Sequence, residues 1–445
     1  MMPAFIISIG DELTKGEIVN SNAAYIANEV SKRGMNVSSI LTLPDTFEIA
    51  IKYVNRFLTD EGIFIFTGGL GATQDDITRK IVSRVLKKNL CIDRVKTEVL
   101  RKWYTTKGRK FTEADMMQAS YPEGGRLLEN GVGLAYGFYV KYGNQYIFSL
   151  PGVPKEMKYM FDNEVIPQLE KQFLNTQHYN HEILFFSDIA EYTLDHRLNE
   201  IISKYDGIQY GTRSSYGLIR VRVDSGEKDI EPCVCELIAS LGDFFISRGE
   251  QNLENVIGDL LIKHNLTLSV AESCTAGLLS KVITDVPGSS RYYVGGIVAY
   301  SNDVKKNILK VSDKTLENFG AVSSQTAREM AEGAQKKLQS DITLSVTGIA
   351  GPDGGTEKKP VGTVFICLYR NGKTVKDHLQ SRWFLPGRFE ALKTKPKNTT
   401  TGKAGGFETA VKVERNTFSG DRESVRLRSV NKALFILYKF LREMK

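Results

Sequence analysis

Ser273, Cys274 and Thr275 place three nucleophile-bearing side chains in consecutive positions. They follow a run at 266–270 whose alternating apolar and polar residues read as a buried strand. Residues 271–277 are small and open a helix with Leu278, Leu279, Val282 and Ile283 at helical spacing. A strand-to-helix turn presents backbone N–H groups at the positive end of the helix dipole, which suits a phosphate, a carboxylate or an oxyanion. The competing reading is that Ser273 or Thr275 only caps the helix. As a nucleophile, Ser273 needs a base, because a free hydroxyl reacts poorly. The five histidines (His178, His181, His196, His264 and His378) lie neither in a glycine turn nor beside the serine. That argues against a Ser-His-Asp triad and for a lysine or tyrosine as base. Cys274 is the rival nucleophile, since thiols near helix N-termini can be activated.

A second strand at 341–347 runs into a turn carrying Gly348, Gly351, Gly354 and Gly355, and a third apolar strand follows at 361–369. Four glycines let backbone approach a ligand closely. Thr347 ends the strand, so its hydroxyl and the amides of 348–350 are candidates to bind an anion or an oxyanion. Arg422 stands at a helix start and suits bidentate phosphate binding, while Asp421 reads as the N-cap.

The N-terminal part alternates strands (5–9, 63–66) with helices (22–33 and the one carrying Ile77, Ile81, Val82, Val85 and Leu86). This pattern gives an α/β fold with a parallel sheet, whose ligands gather at the carboxyl ends of the strands. Gly10-Asp11-Glu12 and TGGLGATQDD at 67–76 both fall there. Gly68, Gly69 and Gly71 would cradle a phosphate or pterin, with Thr73 and Asp76 at the edge. Asp11, Glu12, Asp75 and Asp76 are carboxylates that, beside a diphosphate, would recruit a hard divalent metal. The plainer reading is that Asp75 caps a helix and Asp11 and Glu12 are solvated. Two further strands, 137–141 and 145–150, lead into LPGVPKEM at 150–157.

A chain of 445 residues has room for two to four domains. Hydrophobic residues at 41% and charged residues at 25% are ordinary for a globular protein. The net charge of +7 is diluted over a long chain and reads as a solvated surface, with no basic patch interleaved with exposed aromatics. Five scattered cysteines suggest no disulfide framework, and Cys233-X-Cys235 lacks the companions of a zinc site. Apolar runs are strand-sized and 1–10 has no basic n-region, so a cytoplasmic protein without membrane span or signal peptide is expected.

AESCTAGL at 271–278, PGSSRYYVGGIVAYSNDVKK at 287–306, GAVS at 320–323, SVTGIAGPDGG at 345–355, KPVGTVF at 359–365 and FSGDRESVR at 418–426 together resemble the C-terminal domain of the CinA family, the nicotinamide mononucleotide deamidases. GDE, TGGLGATQDD and LPGVPKEM, in that order, resemble the molybdopterin-binding fold of the N-terminal half of CinA proteins. Between them, strands at 183–186, 208–211 and 218–224 with helices at 189–205 and 230–241 resemble the family's KH-like connecting domain. No GXXG loop for clamping nucleic acid is found there, so a spacer or dimer element is expected. The expected domains are therefore 1–170, 171–250 and 251–445. One departure stands out: the family runs from a strand like 379–384 almost directly into SGDR, whereas here 385–418 intervene. This stretch is rich in Lys, Thr and Gly and reads as an exposed loop.

The resemblance implies a bifunctional enzyme of pyridine-nucleotide salvage. Its C-terminal domain would hydrolyse the amide of nicotinamide mononucleotide without a cofactor. Its N-terminal domain would cleave ADP-ribose to AMP and ribose 5-phosphate with a divalent metal. It places the nucleophile on Ser273 and the base on Lys305, with Tyr300 beside it and Thr347 in the site. Gly348, Gly351 and Arg422 would bind substrate. Asp76 matches an aspartate that the molybdopterin relatives use, and Asp11 and Glu12 are the other candidate metal ligands. A homodimer is expected, and no nucleic-acid partner. The alternatives are a non-catalytic competence factor associated with nucleic acid, and a molybdopterin-handling enzyme.

Overall fold

The computed structural model describes residues 2–58, 61–174, 180–226, 228–370 and 410–444. They form two compact units, one made of 1–180 with 226–228, the other of 181–225 with 229–445.

The strands of the first unit are β1 (Ala4–Ile9), β2 (Val37–Leu43), β3 (Glu61–Thr67), β4 (Leu90–Ile92), β5 (Ser120–Pro122), β6 (Arg126–Leu128), β7 (Gly137–Tyr142) and β8 (Asn144–Leu150). Six of them form one sheet in the order β2-β1-β3-β8-β7-β6, and β4 pairs with β5 apart from it. β2, β1, β3 and β8 run parallel, so their carboxyl ends lie on one edge. The sheet is apolar on both faces: Ile6, Ile63, Ile65 and Phe148 pack on one side, Ile7, Phe64, Phe66 and Ile147 on the other. Continuous apolar strands under two helical layers are the signature of a parallel sheet.

The second unit holds two sheets. Strands β9 (Asn180–Ser187), β10 (Gln209–Ser215), β11 (Leu218–Ser225) and β12 (Phe245–Arg248) lie in the order β10-β11-β9-β12, with Leu194, Leu198, Val234 and Leu237 of two helices packed on them. Strands β13 (Leu268–Glu272), β14 (Tyr293–Val298), β15 (Ile342–Gly348), β16 (Thr363–Arg370) and β17 (Ala410–Thr417) lie in the order β14-β13-β15-β16-β17. The helix Arg422–Arg442 joins the two sheets: Lys432 pairs with Asp188 at 2.6 Å, and the Tyr438 hydroxyl donates to the carbonyls of Phe245 and Ile246. The four-stranded sheet, expected as a separate connecting domain, thus shares a unit with the C-terminal sheet.

Two expectations change. The strand entering SGDR is β17, paired with β16 along its whole length, so 410–417 is not loop. The 379–384 segment and the rest of the insertion lie outside the described residues. Val411 and Val413 of β17 pack against Ala327, Ala331 and Cys367, which is why a stretch of few large apolar residues still ends in a strand. In addition, residues 271–277 do not open the helix. Ala271 and Glu272 belong to β13, 273–277 is a turn, and the helix is Leu278–Thr284.

Because Arg370 lies opposite Ala410, the ends of β16 and β17 are neighbours and a short connection would join them. A variant lacking 385–409 should keep a single cooperative urea transition, since loop length costs little. One lacking 385–418 should lose it. Val413→Asp, which sets a charge against Cys367, should cost about 2–3 kcal/mol in the same experiment.

Candidate active site

β13 and β15 run side by side and parallel, and the small-residue turn and the glycine-rich turn leave from their carboxyl ends. The turn after β13 is shaped by Glu272, a fully buried side chain. Its carboxylate accepts from the amides of Gly277 and Leu279, and from both the amide (2.9 Å) and hydroxyl (2.6 Å) of Ser280. The N–H groups expected to await an anion at this helix start are therefore taken by a side chain of the protein. Charge-assisted bonds of this kind are among the stronger ones, and four of them replace the hydration the carboxylate gives up. Gly277, at φ +93°, ends the turn in a conformation that side chains rarely adopt. Neither Ser273 nor Thr275 caps the helix. Instead Ser273 is held from below, its amide donating to Val346 of β15 at 2.9 Å. Arg426 ties the turn to the last helix by donating to the Thr275 carbonyl at 2.8 Å.

Lys305 comes from the short helix Asn302–Asn307 that follows β14, and only 1% of it is exposed. Its amino group contacts the Ser273 hydroxyl at 3.1 Å, the Ala299 carbonyl at 2.8 Å and the Tyr300 carbonyl at 2.9 Å. No carboxylate pairs with it among the described residues. Burial without a counter-charge penalises the ammonium and pulls its pKa below the ordinary lysine value. A neutral amine has two N–H donors and one lone pair. Two carbonyls and one hydroxyl match that set, with the Ser273 O–H donating to the lone pair.

Cys274 is buried, and burial pushes its thiol up to about 12. A protonated thiol is a poor nucleophile, and it is the Ser273 hydroxyl that the Lys305 amine contacts. Thr347 is also buried, but its hydroxyl donates to the Ala321 carbonyl at 2.7 Å. Its proton is committed, leaving it an acceptor rather than an oxyanion donor. Of the amides proposed beside it, that of Ile349 donates to the Thr363 carbonyl, while that of Ala350 donates to no backbone carbonyl among the described residues.

Ser273, Cys274, Lys305, Thr347, Gly348, Tyr300 and Arg422 are among the residues lining one cavity of about 200 Å³. Arg422, at the start of the helix capped by Asp421, donates to the Gly351 carbonyl at 2.6 Å and to the Tyr300 hydroxyl at 3.2 Å. No carboxylate neutralises it among the described residues. Tyr300 is 60% exposed, so it stands at the mouth and not at the base of the cavity. Sequence reasoning missed Glu272 and Arg426. The sole hint was an acid directly before the small-residue turn.

In the first unit, Gly68 (φ +99°) and Gly69 (φ +64°) turn the chain at the end of β3. A side chain at Gly68 would strike the Ile9 carbonyl, and one at Gly71 would meet Asp76 Oδ2 at 2.5 Å. Asp76 accepts from the Thr73 amide at 2.8 Å and hydroxyl at 2.6 Å, so it braces its own loop. Asp11 pairs with Lys15 at 2.7 Å, and it and Asp45 accept each other's amides. The Glu12 carboxyl lies against Gly10. Among the described residues no three His, Cys, Asp or Glu side chains gather to hold a metal, and Asp76, Asp11 and Glu12 are not such a group. Asn22, which the sequence reading passed over, links two motifs by donating to Thr67 Oγ1 at 3.0 Å and to the Gly152 carbonyl at 2.7 Å.

Comparison with known proteins agrees with this division. Residues 5–171 match the family model of the probable molybdopterin binding domain, and 250–383 match the CinA C-terminal domain. The fold is thus that of a two-part α/β protein with a molybdopterin-binding-like half and a CinA-type half. The chain is 35% identical over 454 residues to a putative competence-damage inducible protein of Halothermothrix orenii, covering 99% of each chain. To a protein of the same name from Acetivibrio thermocellus it is 38% identical over 374 residues, covering 82% of this chain and 90% of that one. A crystal structure of a CinA superfamily protein from Enterobacter cloacae aligns with 42% of this chain and 90% of its own, at 30% identity and a TM-score of 0.33. The chain belongs to the CinA family.

Glu272→Gln should cost about 2–3 kcal/mol in urea denaturation, because the new amide nitrogen faces N–H donors it cannot satisfy. An unchanged midpoint would mean that the turn is held by something else.

Proposed function

We propose that the C-terminal half hydrolyses the carboxamide of nicotinamide mononucleotide to nicotinic acid mononucleotide and ammonia. The observation that carries this reading is the buried Lys305 amine against the Ser273 hydroxyl, with no counter-charge among the described residues. The resemblance of the surrounding motifs to the nicotinamide mononucleotide deamidases supplies the substrate. Lys305 takes the Ser273 proton as Oγ attacks the amide carbon, giving a tetrahedral adduct. It returns that proton to the nitrogen as the C–N bond breaks and ammonia leaves. Water, deprotonated by the same amine, then attacks the ester carbon, and the amine passes that proton to Oγ as the C–Oγ bond breaks, releasing the acid and restoring the serine. Arg422, at the mouth with no acidic partner among the described residues, suits the substrate phosphate as a bidentate donor.

For the N-terminal half we propose ADP-ribose cleavage at the diphosphate, on the resemblance of its three motifs. The described carboxylates make no resident metal centre. A divalent ion is commonly bound by one or two carboxylates together with substrate phosphates, and the first unit offers carboxylates of that kind at the strand ends.

Ser273→Ala should lower ammonia release at least a thousandfold, and Lys305→Met similarly, while Cys274→Ala should stay within a few-fold of the parent. If Cys274→Ala is the inactivating change, the nucleophile is misassigned. The rate should rise with pH as Lys305 loses its proton and level off below 10.5, the ordinary lysine value, since its pKa is lowered. Asp76→Asn should slow AMP formation from ADP-ribose with metal and leave ammonia release intact; equal loss of both would contradict independent sites.

A further inference from the structure

Positive charge is distributed very unevenly in this chain. Between Arg84 and Lys110 stand ten Lys and Arg residues against Asp93 and Glu98, a net of +8 where the whole chain carries +7. The rest of the molecule is close to neutral, so the dilution inferred from composition does not hold locally.

The helix Arg94–Thr106 organises much of this charge. Its buried positions are Thr97 and Leu100, and the exposed side presents Arg94, Arg101 and Lys102. Beyond its end, the Arg109 amide donates back to the Tyr104 carbonyl at 2.8 Å and Gly108 takes φ +66°. This closure winds the exposed Lys107, Arg109 and Lys110 tightly against the helix end. Lys96 pairs with Glu129, and Arg101 with Glu98 at 3.4 Å while lying over the Phe111 ring. Arg94, Lys102, Lys107, Arg109 and Lys110 pair with no acid among the described residues.

Helix energetics explain only part of this arrangement. Cations at 107–110 suit the negative end of the helix dipole, but Arg94 sits at the positive end, where a cation is unfavourable. Like charges held together without acids lower stability and call for an external polyanion.

We propose that this basic band is a binding surface for the phosphodiester backbone of duplex nucleic acid, without sequence preference. The side chains favour that partner over two others. Trp103 and Tyr104 are half-buried edge to face, leaving no flat ring on which a single strand would stack. Val95 and Val99 are the exposed apolar residues of the helix, too little area to enter a bilayer.

The test is fluorescence anisotropy of the full chain with a 30-base-pair duplex, between 50 and 200 mM salt. With about five phosphate contacts, affinity should fall roughly 10²- to 10³-fold over that range. Lys102→Glu, Lys107→Glu and Arg109→Glu together should weaken binding at 50 mM at least tenfold. The corresponding Gln triple should flatten the slope of log affinity against log salt by roughly 2.7. Lys314→Glu, Lys336→Glu and Lys337→Glu together, the same charge change in the other unit, should stay within threefold of the parent. The proposal is overturned if that control loses as much, if no binding is seen at 50 mM, or if phosphatidylserine vesicles are bound and the duplex is not.

Discussion

A buried amine with no carboxylate beside it among the described residues is the constraint on which the C-terminal half depends. Burying a charged ammonium is costly, so Lys305 is held in a place that favours its neutral form. Two backbone carbonyls fix where its nitrogen sits, and both belong to the segment just after β14. The nucleophile is fixed from the opposite direction. β15 holds the Ser273 amide, Glu272 gathers the amides after the turn, and Arg426 pins the Thr275 carbonyl from the last helix. Three strands and two helices thus converge on one contact of 3.1 Å.

The same sheet accounts for the placement of Arg422. Residue 418 follows β17, whose whole length pairs with β16, and the amide of Phe418 donates to the Gly362 carbonyl. The helix start is therefore delivered beside the Gly351 turn, whatever the length of chain between β16 and β17. An insertion at that point is tolerable because it lengthens a connection whose ends are already neighbours.

Much of this was legible in the residues. Alternation located β13, buried apolar runs located β15 and the N-terminal parallel sheet, and a small-residue turn and a glycine-rich turn at strand ends located the cavity. What was not legible depended on burial. Nothing in the spacing of Lys305 says that it is buried, and Ser273 differs from Cys274 only once the fold sets its hydroxyl against the Lys305 amine. Glu272 reads as an ordinary polar residue until the strand proves to continue two residues further and carry its side chain under the turn. β17 was hidden because its apolar positions are two valines among charged neighbours. In the N-terminal half, carboxylates that looked like metal ligands are partly spent on their own loops, a use that sequence cannot separate from catalysis.

The most direct test of the central claim is to titrate the Lys305 amine itself. In protein carrying carbon-13 at the lysine ε position, with Lys305→Met to assign the signal, its shift would be followed against pH. The account predicts a midpoint clearly below 10.5, with the signal displaced when Ser273 is replaced by alanine. A midpoint at or above 10.5, unaffected by that replacement, would show a charged lysine that cannot accept the serine proton.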